Sequence, residues 1–188
     1  MGRGILRSLA EKYKRLRHSH GFGVHSPFGY RVVGRVVLLP RGYGYYAERY
    51  LERPETGLSD AHELPGCRLL GRLAIETDAR SAYIQENLPS GYANYLRFIR
   101  SDIRLECRPE GADTCALICI SGTAEAERGA RMIGGANPPA ALLALDVDDA
   151  TARRLCDAMP EGLCLRGKRN LILMPRAEMR KVIYTVKI

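Results

Sequence analysis

Two patterns that would mark a secreted or membrane protein are missing from this chain of 188 residues. Its six cysteines are Cys67, Cys107, Cys115, Cys119, Cys156 and Cys164. They form no Cys-x-x-Cys pair and no disulfide-like framework, and several of them lie in apolar runs. They predict reduced core thiols in a cytoplasmic protein. The longest charge-free apolar segment, 132–145, is interrupted by glycines and prolines and is shorter than the roughly 20 residues of a spanning helix. We therefore expect no membrane span and no signal peptide.

Acidic residues are scarce in the first quarter of the chain. Residues 1–50 hold ten Lys and Arg against two acids, whereas residues 51–188 hold nineteen of each, so the net charge of +8 belongs to the N-terminal part. Residues 5–17 place apolar side chains at helical spacing with basic ones between them, which predicts a basic amphipathic helix. Such a helix attracts acidic partners such as nucleic acid, or it packs on its own domain with its charges solvated. Tyr13 belongs to the apolar stripe, and no aromatic residues that could stack bases are interleaved among the basic ones.

One apolar run predicts the centre of the fold. Six of the seven residues in 114–120 are apolar and Ser121-Gly122 follows, as in a parallel strand buried on both faces. Alternating helix and strand patterns surround it from residue 82 onward. Together with the ordinary composition, they predict a single α/β domain, 1–188, with a shortened, mainly parallel Rossmann-like sheet over 76–188. We expect a helical N-terminal cap over 1–75 and antiparallel strands over 162–165, 170–174 and 181–187.

The boundaries of several elements follow from local signals. Ser26 is a predicted helix cap with Pro27 in the first helical position, and the helix runs to about Leu39. The segment 42–47 also matches Gly-x-Gly-x-x-Ala, but the dinucleotide-binding unit needs a strand where this helix is predicted. Further on, strands are predicted at 82–86 and 103–107, with a helix at 91–99 between them. Only six residues separate Cys107 from Thr114, so these strands either pair antiparallel or are joined by a link that crosses the sheet without a helix.

Several elements of the chain together carry a family resemblance: HGFGVHSPF at 20–28, the Tyr45-Tyr46 pair, the helix at 65–75, the buried strands predicted at 114–120 and 140–147, and the ending NLILMPR with VIYTVKI. In these elements the chain resembles a family of bacterial class I S-adenosylmethionine-dependent methyltransferase-like proteins. The resemblance covers nearly the whole chain and is most specific in the N-terminal element. It implies a Rossmann-like fold, a transferase activity and S-adenosylmethionine as cofactor. The shortened link after Cys107 removes part of the wall expected around the adenine.

The resemblance implies three cofactor-binding residues. Glu86 and Gly91 belong to the turn after the first strand, where a small residue admits the cofactor and an acid holds its amino group. Pro89 in this turn removes a backbone donor, and the alternative is an ordinary strand-to-helix turn. Glu106 ends the second strand, where an acid binds the ribose hydroxyls; the alternative is a surface glutamate. Ser121-Gly122 stands where relatives have Asp-Gly, so a carboxylate is missing there.

One residue is the candidate catalytic carboxylate. Asp146 ends the second buried strand, at the edge where open α/β sheets bind ligands; the alternative is a helix cap. No metal site is expected, because His20 and His25 have no nearby acid or cysteine pair and fit a structural role in a glycine-rich turn.

The leading functional hypothesis is a methyltransferase-like protein with weak or lost activity, a pseudoenzyme with an unknown methyl acceptor. The alternative is a non-catalytic binding protein that holds an acidic partner on its basic N-terminal helices.

Overall fold

The computed structural model describes residues 26–38, 46–53, 56–58, 63–106 and 108–188. These residues form an α/β fold around one seven-stranded sheet with the order β2-β1-β3-β4-β6-β5-β7. The strands are β1 Ser81–Ile84, β2 Arg104–Glu106, β3 Leu117–Ser121, β4 Ala141–Leu145, β5 Glu161–Arg166, β6 Leu171–Arg180 and β7 Val182–Thr185. Within the same ranges, no helix has both the length and the apolar character needed to cross a membrane.

The predicted central strand is internal to the sheet. β3 pairs in parallel with β1 on one side and with β4 on the other. All five residues of β4 and the first four of β3 are buried, because helices cover both faces of the sheet. The continuous apolar runs in the sequence therefore identified the two most buried strands.

Five α-helices lie within the described ranges. They are α1 Pro27–Val32, α2 Glu63–Glu76, α3 Ser90–Ile99, α4 Ala126–Gly134 and α5 Asp149–Ala158. Residues of α1, α2 and α3 pack on one face of the sheet, and residues of α4 and α5 pack on the other. The result is the three-layer arrangement of a Rossmann-like fold, with helices from the predicted N-terminal cap contributing to the first face.

The link between β2 and β3 crosses the sheet without an α-helix. β2 pairs in parallel with β1, and β1 pairs in parallel with β3, so β2 and β3 are separated by one strand. A 3-10 helix, Pro109–Thr114, is the regular element within this link. Of the two arrangements open from the sequence, the crossing link is correct. The strand prediction at Thr114 was wrong by three residues, because Thr114 ends the 3-10 helix and β3 begins at Leu117.

The predicted antiparallel C-terminal set is only partly correct. β6 runs antiparallel to both β4 and β5, but β7 pairs in parallel with β5. β6 has β5 on one side and β4 on the other, so β7 cannot pair with it. After β6 the chain passes the start of β5, and β7 pairs with the free edge of β5. A strand that begins at this end of β5 necessarily runs in the same direction as β5.

The helix predicted to begin at Ser26 and Pro27 is confirmed over its described part, 27–37. Ser26 Oγ accepts a hydrogen bond from the Gly29 amide at 3.2 Å, and Pro27 occupies the first helical turn. The helix continues as a π-helical turn, Val33–Val37. Because this segment is helical, the strand that the dinucleotide-binding motif requires before residue 42 is absent from its described part. The predicted basic helix at 5–17 and the histidines His20 and His25 lie outside the described residues.

Candidate functional site at the carboxyl edge of the sheet

The carboxyl ends of β1, β3 and β4 meet at one edge of the sheet. Gln85 links the ends of β1 and β3 by two hydrogen bonds. Its backbone amide donates to the Cys119 carbonyl at 3.0 Å, and its side-chain Oε1 accepts from the Ser121 backbone amide at 2.6 Å. Gly122, at φ +74°, then donates to the Leu145 carbonyl at 2.9 Å. Three backbone amides at these strand ends, those of Gln85, Ser121 and Gly122, therefore donate to acceptors within the protein.

Asp146 lies at this edge with unusual backbone geometry. Its φ is +51°, a left-handed conformation that aspartate adopts more readily than most residues and that often accompanies functional sites. Its amide donates to Asn170 Oδ1 at 3.4 Å, and its half-exposed carboxylate lies 3.1 Å from Arg169 Nε. The helix cap is Asp148, whose Oδ1 accepts from the Thr151 amide at 2.7 Å. Asp146 is thus an exposed carboxylate with one arginine partner and does not cap α5.

Gly91 is packed against residues of its own chain. It is buried in the first turn of α3, and a Cβ at this position would lie 2.6 Å from the Thr56 carbonyl oxygen and 2.7 Å from Leu58 Cγ. A glycine is required there because the 56–58 segment approaches so closely. The 56–58 segment therefore occupies the space on the side of Gly91 where a side chain would extend.

Glu86 and Glu106 occupy different surroundings. Glu86 is exposed in the turn after β1 and has no ion-pair partner among the described residues. Glu106 ends β2 with its side chain 32% exposed, and its Oε1 lies 3.5 Å from Arg104 Nε. Adjacent strands are about 4.8 Å apart, so β2 and β4 are separated by roughly 14 Å across β1 and β3. Glu106 and Asp146 therefore lie at the two sides of the site rather than in contact.

A partly buried cluster near the same strands was missed from the sequence. Burial raises the pKa of the Tyr83 hydroxyl, and the nearby Glu125 carboxylate raises it further, whereas the positive charge of the Arg128 guanidinium lowers it. Arg128 Nε lies 3.4 Å from Glu125 Oε2. Arg128 also lines a cleft of about 500 Å³ together with Arg131 and Ile118. Arg128 follows Glu125 by three residues on α4, and this spacing was the available sequence signal.

No metal centre can be built from the described ranges, since no three His, Cys, Asp or Glu side chains there lie close enough to share an ion.

Comparisons of the chain with protein-family models, with curated proteins and with solved structures find no match in any of the three.

Proposed function

We propose that this chain is an S-adenosylmethionine-dependent methyltransferase-like protein with a degenerate cofactor site and weak or lost activity. The observation that carries the proposal is the strand order, in which β6 alone is reversed and lies between β4 and β5. The resemblance implies a mainly parallel Rossmann-like sheet with antiparallel strands near its C-terminal end, and β6 is such a strand. Among the described residues no strand lies beyond β2, as expected from the short link between β2 and β3.

The residues fit the cofactor only in part. Glu106 is accessible and could accept hydrogen bonds from ribose hydroxyls. At Gly91, by contrast, Thr56 and Leu58 occupy the position of a close-packed ligand, and Pro89 offers no backbone donor. The turn therefore does not fit the methionine end, and this mismatch supports a degenerate site.

The proposed catalytic carboxylate also has an internal partner. The Asp146 carboxylate binds the Arg169 guanidinium at 3.1 Å. A methyl acceptor that used Asp146 Oδ1 as a base would compete with Arg169 for this oxygen. Because the pair is exposed, the competition is worth about 1 kcal/mol or less, so it gives minor support for weak activity.

Calorimetry with S-adenosylmethionine and S-adenosylhomocysteine tests the proposal, because methyl transfer requires this binding. If the ribose contact survives, Glu106→Ala weakens binding by roughly 1 to 3 kcal/mol, the range for losing hydrogen bonds to a charged group. Millimolar affinity or none supports the degenerate site. Micromolar binding that depends on Glu106 contradicts it.

The alternative function, binding of an acidic partner, is tested by a different experiment. The charge excess of residues 1–50 favours a non-catalytic protein that binds an acidic partner. This hypothesis predicts binding with a steep salt dependence, lost when Arg7, Lys14 and Arg17 are reversed to glutamate. Affinity unchanged by the triple reversal would contradict it.

A further inference from the structure

A basic groove lies between α1 and β6, away from the carboxyl edge of the sheet. It encloses about 790 Å³, and its lining carries three arginines, Arg31, Arg176 and Arg180, against one acid, Glu178. Phe28 lies between the two sides, with Arg176 Cζ 4.4 Å and Arg31 Cζ 5.4 Å from its ring centroid. The groove therefore combines an excess of positive charge with an aromatic support.

A bulge in β6 holds two of these arginines in place. The β5–β6 register passes from Gly162 opposite Pro175 to Glu161 opposite Arg180, so residues 176–179 leave the ladder. Gly162, at φ +126°, permits the close approach, since a Cβ there would lie 2.9 Å from the Arg176 amide nitrogen. At the other side, Glu161 Oε2 accepts from the Glu178 amide at 2.9 Å. Fixed bulges of this kind commonly aim side chains at functional surfaces.

The arginines of the groove differ in their partners. Arg31 binds Glu76 at 2.8 Å, a carboxylate that Arg35 also approaches at 3.5 Å. Arg176 and Arg180 have no carboxylate within 4.0 Å among the residues that the structure describes. Arg176 is nevertheless oriented, because its guanidinium rests over the Phe28 ring. An oriented guanidinium whose donors have no anionic partner suits a phosphate, which it binds through two parallel hydrogen bonds.

We propose that this groove binds the phosphodiester backbone of single-stranded nucleic acid. The sequence before Ser26, residues 1–25, carries six Lys and Arg and one acid, so the adjoining part of the chain has a net charge of the same sign as the groove and favours an anionic occupant. Reading a duplex requires a helix or ribbon that enters a groove of the nucleic acid, whereas this site is itself concave. Phe28 is partly buried beneath Arg176, so it is not an anchor for insertion into lipid. The site does not depend on cofactor binding at the sheet edge.

Fluorescence anisotropy of the full chain with a labelled oligouridine of about 12 nucleotides tests the proposal across a salt series. Arg176→Ala with Arg180→Ala raises the Kd about tenfold or more. It also makes the slope of log K against log salt less steep by about 1.4, since each phosphate contact to a single strand contributes about 0.7. Arg176→Lys, which keeps the charge but loses the planar fork, gives an intermediate Kd.

The matched control is Arg97→Ala with Arg153→Ala, which removes the same charge from exposed positions outside the groove. It leaves the Kd within about threefold of wild type, and melting curves confirm that all variants are folded. Equal losses in both double variants would overturn the proposal, because the effect would then be net charge alone. Tighter binding to a duplex of the same length or to phosphatidylserine vesicles, or no binding to the oligonucleotide at low salt, would also overturn it.

Discussion

The buried pair Glu48 and Arg72 gives the sharpest stability prediction. Glu48 belongs to the 3-10 helix Tyr46–Glu52 and Arg72 to α2, and both are less than 10% exposed. Arg72 donates Nε to Glu48 Oε1 at 2.7 Å, Nη2 to Oε2 at 3.1 Å and Nη1 to the Val36 carbonyl at 3.0 Å. One guanidinium thus ties together three segments of the helical layer.

Arg72→Met leaves the Glu48 carboxylate buried without its main partner. Breaking a buried pair in this way costs about 3 to 5 kcal/mol. Arg68 Nε remains 3.7 Å from Glu48 Oε2 and offsets part of the loss, so we expect about 3 kcal/mol. In the double variant Glu48→Leu with Arg72→Met no carboxylate is left buried. The losses are the donor to the Val36 carbonyl and the contact of Glu48 with Arg68 at 3.7 Å, together about 1 to 2 kcal/mol.

Urea unfolding with linear extrapolation measures these differences. The control is Arg80→Met, which breaks an exposed pair with Asp102 at 3.4 Å and changes the free energy of unfolding by less than about 1 kcal/mol. An Arg72→Met variant as stable as wild type would refute the reasoning. So would a double variant that loses the sum of the two single losses, because the two residues would then act independently.

Three further predictions follow from local geometry. Gly91→Ala forces its new Cβ against the Thr56 carbonyl and lowers the free energy of unfolding by about 1 to 3 kcal/mol in the same urea assay. An unchanged free energy of unfolding would mean that Thr56 does not lie against Gly91. Burial raises the pKa of the Cys67 and Cys119 thiols, so mass spectrometry finds both unalkylated in the native protein at pH 8. Rapid alkylation of the native protein would contradict this. Because the pKa of each thiol is higher in the folded than in the unfolded protein, where it is about 9, burial of the two thiols contributes fully to the free energy of unfolding below that pH. The contribution declines as the pH rises further, since the unfolded thiols ionise first. Asp148→Ala lowers the melting temperature at pH 7 more than Asp148→Asn, which keeps a cap acceptor; equal losses would count against the cap.

The parts of the fold that local patterns encode were predictable. β3 and β4 are continuous apolar runs, and the strand predicted at 103–107 corresponds to β2, Arg104–Glu106. Ser26 and Pro27 located the start of α1 because a cap acts within one helical turn. Each of these signals lies within a few residues of the element it identifies.

Features that depend on distant residues could not be read from the sequence. Glu48 and Arg72 are 24 residues apart, and no sequence pattern indicates that they form an ion pair. Gly91 was recognised as a position where a cofactor could approach closely, but the observed neighbour is the 56–58 segment, which is distant from Gly91 in the sequence. The bulge at 176–179 was missed because its cause, Gly162, lies on another strand.

The assignment of Glu86, Gly91, Glu106 and Asp146 to a cofactor site remains a prediction. Their elements bring all four to the carboxyl edge of the sheet, which the order of strands and helices made predictable. What occupies the space between them depends on Gln85, Arg169 and the 56–58 segment. The competition between these internal partners and a ligand cannot be read from the residues that the resemblance matched.

Calorimetric titration of the full chain with S-adenosylmethionine is the most direct test of the proposed degenerate cofactor site. We expect a dissociation constant in the millimolar range or no detectable heat, and the same result with S-adenosylhomocysteine. Glu106→Ala and the control Glu127→Ala, which removes an exposed acid from α4, would then be indistinguishable from wild type. A micromolar dissociation constant for wild type and Glu127→Ala that is lost in Glu106→Ala would contradict the account and identify a working cofactor site.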